Sequence, residues 1–156
     1  MITAAQLNQR NNQIIREICP NEYTTAADHN SHCAHYVSHV LNLRFGTTCK
    51  MQKDKGFPGA CIKVDELFAH CPQVGLWADR PAHVSQCLIF VTDRSNVDVS
   101  RKSMTRALYK HVGICVDGRV WAYGRISHVQ SYTVDEFHRT YKGAGIEIYY
   151  GTMPKS

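Results

Sequence analysis

The spacing of apolar positions changes partway along the chain, and that change sets the expected architecture. In the first part they recur at helical intervals. Leu7, Ile14, Ile15 and Ile18 form a partial stripe behind Thr3, which suits a helix cap, and Pro20 stops the run. Val37, Val40 and Leu41, with Tyr36 alongside, predict a second helix from about Ser31 to Leu43, and Val64 to His70 predicts a short third one closed by Cys71 and Pro72. After Pro81 the period shortens. Cys87 to Val91 reads as a short buried strand. His111 to Val116 and Arg119 to Tyr123 flank Asp117-Gly118, a strong hairpin signal because a tight primed turn needs positive φ. A further strand is expected over His128 to Tyr132. Thr133 and Glu136 form a capping box that opens a helix to about Tyr141, and Ile146 to Tyr150 is a last strand. Helices first and an antiparallel meander after them predict the α+β class.

Polar, irregular stretches at 20–32, 44–62 and 93–109 separate these elements, with Gly46, Gly56, Pro58 and Gly59 marking the second as a long loop. There is no internal repeat or low-complexity segment, so residues 1–156 read as a single domain. With 44% hydrophobic and 20% charged residues the chain is composed like a globular domain with a core of its own. No apolar run approaches the roughly 18–20 residues that cross a bilayer, so membrane insertion is not expected. The net charge of +5 suits an anionic partner, but the basic residues are scattered and nucleic acid is not expected. Met1 to Arg10 lacks a basic cluster followed by an apolar stretch. The expectation is therefore no secretory signal and synthesis in the reducing cytoplasm.

Seven cysteines and nine histidines supply the candidate chemistry. No two cysteines are spaced C-x-x-C, which argues against a zinc ribbon or a thioredoxin-type pair. Cys33 follows the polar run Asp28 to His32 and sits in the first turn of the predicted second helix. Unpaired backbone N–H groups and the helix dipole there favour a thiolate, so Cys33 is the candidate nucleophile. The other thiols read as buried: Cys87 and Cys115 lie in strands, Cys19 and Cys71 precede prolines, and Cys49 and Cys61 flank the long loop. His111 opens an apolar strand, with Gly113 leaving room for close approach, and is the candidate base. His35 and His39, four residues apart, share a helix face and could grip a metal. The segment offers no second clear ligand group and only Asp28 as a nearby carboxylate, so no metal or other cofactor is expected. Tyr36 and Tyr123 are candidates for stacking on a substrate, with core packing as the alternative. Arg94, Arg101, Lys102 and Arg106 could meet a carboxylate, or simply form a solvated loop.

Cys33 to Val37 at a helix head, Gln86 to Val91 as a buried strand, and His111 to Trp121 as a His-bearing strand and hairpin, in that order, resemble the papain-like peptidoglycan amidases, of the NlpC-type endopeptidase and CHAP amidase kinds. The likeness spans roughly residues 28–45 and 85–135. It implies a helix packed on an antiparallel sheet. It also implies attack by Cys33 on an amide of a peptidoglycan stem peptide, with His111 as base and then acid, and an oxyanion held by the backbone N–H at the helix start. A toxin role, also found among such amidases, would bring an immunity or inhibitor protein as partner and a specialised export route to a bacterial periplasm or cell wall. The chain departs from the pattern at two places. Ala122 stands where a polar residue is expected to orient the base, and His32 stands where an Asp is expected. Either the orienting group comes from elsewhere, with Tyr123, Ser127 and His128 nearest, or a dyad suffices, or the alanine is an engineered replacement, the preferred option. The runner-up is a catalytically inactive or metal-binding interaction module of the same fold.

Overall fold

A computed structural model describes residues 1–21, 32–49, 59–124 and 127–155. Its helices are α1 (Ala4–Asn8), α2 (Ile15–Ile18), α3 (His32–Leu41), α4 (Val64–His70) and α5 (Val134–His138). Its strands are β1 (Val74–Leu76), β2 (Gln86–Asp93), β3 (Val97–Asp98), β4 (Ser103–Met104), β5 (His111–Val116), β6 (Arg119–Tyr123), β7 (Val129–Thr133) and β8 (Ile146–Gly151). Six of the strands form one antiparallel sheet in the order β1-β8-β2-β5-β6-β7, while β3 and β4 form a separate ribbon. This is a single small α+β domain, as the change of period predicts.

The strand alternation sorts the core onto two faces. Leu88 and Phe90 of β2, Val112, Ile114 and Val116 of β5, and Trp121 and Tyr123 of β6 meet α3 and α4 on one face. Cys87, Ile89 and Val91, Cys115, and Val120 and Ala122 meet Phe137 of α5 on the other. Val112 and Ile114 are therefore the residues that β5 offers to α3, while its odd-numbered positions belong to the α5 face. Between β5 and β6 the turn is carried by Asp117 (φ 49°) and Gly118 (φ 81°), the positive pair that the hairpin signal requires.

Three features differ from the sequence reading. The first predicted helix is two short ones. Between them Asn12 takes φ 71°, its N–H bonds to Val129 O at 2.8 Å, and Val129 N–H returns to Gln13 O at 3.0 Å, so this stretch joins the free edge of β7 instead of continuing a helix. β1 was not foreseen: three residues are too few for an alternation to show, and its register comes from β8. The connection 93–109 contains β3 and β4.

Candidate functional site

α3 is buried on every side from His32 to Ser38 and only partly buried from His39 to Leu41. Its expected cap, Asp28 to Ser31, with His29, lies outside the described residues. Cys33 is the second residue of α3 and is 6% exposed. Its sulfur reaches the backbone of Val112, the residue after His111, and the backbone of Ala34 and Cys33 itself. These contacts, with the charge of Lys110, favour a thiolate, but burial outweighs them and pushes the thiol up to about 11. Desolvation thus works against the activation expected at the helix start and favours the neutral thiol.

His111 opens β5 as predicted, but its ring stacks on Phe137 of α5, with centroids 5.3 Å apart and planes 24° apart. Alternation explains the turn of the ring: once Val112 and Ile114 face α3, His111 belongs to the α5 side. Ala122 lies on that same side, fully buried, and the position a Cβ would take on Gly113 is 3.3 Å from its methyl group. The position expected to hold an orienting residue is therefore beside the His111 strand, but it carries no polar atom. Tyr123, one residue on, is on the α3 face with its ring edge against His32 at 5.7 Å.

The two candidate substrate-binding tyrosines have other work. Tyr36 is fully buried in the core. Tyr123 is nearly so, and its hydroxyl accepts from Ile15 N–H at 3.0 Å and donates to Ser127 O at 2.8 Å, tying α2 to the sheet. Of the basic residues in the 93–109 connection, Lys102 donates to Cys71 O at 3.0 Å and Arg94 to Ala144 O at 3.3 Å.

The structure gathers a group that the sequence reading left dispersed. His35 and His39 project from α3 toward Cys19, which follows α2, and Cys49, which lies past the 43–48 segment. The ligand-type atoms of all four lie within 4.8 Å of one another. The helix spacing of the two histidines was visible in the sequence. Their sulfur partners, one beside a proline and one beside a long loop, carried no local signal. No protein-family model, curated protein or solved structure matches the chain.

Proposed function

We propose that the chain is a cysteine-amidase domain with very low turnover of its own, with Cys33 as nucleophile, His111 as base and an amide of a cell-wall stem peptide as its substrate class. One observation carries this reading. The three positions that such a reaction needs fall at neighbouring points of β5 and β6: Cys33 on the Val112 backbone, His111 one residue before it, and Ala122 against Gly113. The low turnover follows from the same geometry. Burial holds the Cys33 thiol up at about 11, the His111 ring is stacked on Phe137, and Ala122 carries no polar atom to orient an imidazole. In the proposed reaction the His111 ring would first leave Phe137 and turn round the start of β5 to Cys33; it would then take the Cys33 proton as sulfur attacks the carbonyl and pass it to the departing amine. Water afterwards cleaves the thioester.

The test is hydrolysis of purified cell-wall fragments by the wild type, Cys33→Ala, and Ala122→His combined with Phe137→Leu to make room for the imidazole. A positioned base contributes roughly 10²–10⁴-fold. The double variant is expected to gain about 10²-fold or more over the wild type, and Cys33→Ala is expected to abolish what activity there is. Full activity in Cys33→Ala, or no gain in the double variant, rejects the assignment.

A further inference from the structure

α3 presents two imidazoles one turn apart, and the chain reaches them from both sides. α2 ends at Ile18 and leaves Cys19 beside them. The other approach is fixed by short-range pairing: Cys49 N–H bonds to Ala60 O at 3.0 Å, Cys61 N–H to Leu43 O at 3.0 Å, and Thr48 bridges to Cys61. The Nε2 atoms of His35 and His39 are 3.1 Å apart, and Cys49 Sγ is 3.7 Å from His39 Nε2. A tetrahedral zinc ion, with bonds of about 2.0–2.1 Å to nitrogen and about 2.3 Å to sulfur, sets its ligands about 3.3 Å apart for N···N and about 3.6 Å for N···S. The observed separations agree with these to within about 0.2 Å.

We propose that Cys19, His35, His39 and Cys49 form a four-ligand metal site of the zinc type. Its spacing along the chain is C-x15-H-x3-H-x9-C. The surroundings are those a metal-bound thiolate and imidazole need. Cys49 Sγ accepts from Ala60 N–H at 3.2 Å and from Asn21 Nδ2 at 3.3 Å, two donors that favour sulfur as an anion. His35, fully buried, has its other ring nitrogen 3.3 Å from Nδ1 of His32, an outer partner of the kind that fixes a ligand's tautomer, while its Nε2 faces His39. Two thiolates balance the charge of a divalent cation, so the filled site is neutral and its burial costs little. Thiolate and imidazole donors together select zinc over magnesium or calcium.

With all four positions supplied by the protein, the site is structural: it binds α2, α3 and the 43–49 segment into one unit. It is independent of the amidase reading, because the sulfur of Cys33 is not among its ligands.

The full chain, purified under reducing conditions without chelator, is expected to carry about one zinc per chain. After metal removal, one equivalent of cobalt(II) is expected to give the intense visible bands of tetrahedral coordination and a thiolate charge-transfer band. His39→Ala and Cys49→Ala are expected to lose the bound equivalent, and Cys33→Ala to keep it. Three results overturn the site: a wild type that takes up neither metal or gives a cobalt spectrum without thiolate charge transfer, ligand variants that keep a full equivalent with an unchanged spectrum, or a native mass showing a Cys19–Cys49 disulfide. The cobalt spectrum is read on the wild type, so the test holds even if the variants fail to fold.

Discussion

Gly113 is in the interior of the sheet, opposite Ile89 of β2, and Gly113→Ala tests how tightly β5 and β6 are packed. The added Cβ would lie 2.7 Å from Val120 Cγ1, 3.0 Å from the backbone oxygen of Trp121 and 3.3 Å from Ala122 Cβ. Two of these neighbours cannot simply move aside. Val120 is β-branched, with few rotamers to retreat into, and the Trp121 oxygen is held by the β5–β6 and β6–β7 registers. Overpacking of this kind costs about 1–3 kcal/mol. Losing glycine's freedom in the unfolded chain returns about 0.4–1 kcal/mol; with contacts this short the overpacking falls in the upper half of its range, about 2–3 kcal/mol, and the net loss is about 1–2.6 kcal/mol. For a chain of this size that lowers Tm by about 2–10 °C. The assay is thermal and urea unfolding of the wild type, Gly113→Ala, Val120→Ala and the double variant. Val120→Ala removes the closest obstruction, so the two changes are expected to couple favourably by about 0.5–3 kcal/mol. A Gly113→Ala protein melting at or above the wild type, or a cycle with no coupling, would refute the packing argument.

Phe137→Ala empties a fully enclosed site on the α5 face and is expected to cost about 3–5 kcal/mol in urea unfolding. The same variant should remove the ring-current shift of the His111 imidazole protons in an NMR spectrum, since the two rings stack. Thr133 caps α5 by accepting from Glu136 N–H at 3.0 Å, while Glu136 accepts from Thr133 N–H at 2.9 Å. Thr133→Ala is expected to cost about 1 kcal/mol, read as a shift in the urea midpoint. Burial is the largest cause that pushes Cys33 up to about 11 and Cys61 and Cys71 up to about 12. Unfolded thiols titrate near 8.5, so above that pH the unfolded chain releases protons the folded chain keeps. The stability from these three groups is full below about pH 8.5 and falls as pH rises toward 11, so the urea midpoint at about pH 10 is expected below that at about pH 8. An unchanged or rising midpoint would contradict the burial of these thiols.

Much of the fold could be read from local pattern. Asp117-Gly118 could only close a tight turn, Thr133 with Glu136 announced α5, and the unbroken apolar run from Cys87 to Val91 marked a strand covered on both faces. The chemistry was harder to read because it depends on direction and distance. The two-residue alternation of β5 already implied that His111 and Val112 face opposite ways. Seeing which way each faces required knowing that α3 lies on the Val112 side. The same helix head that favours a thiolate at Cys33 also buries it, and a sequence shows the first effect without the second. Cys19 and Cys49 lie 16 residues before His35 and 10 after His39, and nothing in those intervals reveals that the three segments meet.

The order of strands carries a consequence for how the chain comes off the ribosome. β8, which follows all the other described strands in sequence, lies inside the sheet, between β1 and β2, and not at its rim. Until Gly151 has emerged, β2 has a bare backbone edge from Leu88 to Asp93 and β1 has no strand partner in the sheet. A nascent or truncated chain ending before residue 146 would display that edge to other chains, so protection from aggregation hinges on the six residues of β8.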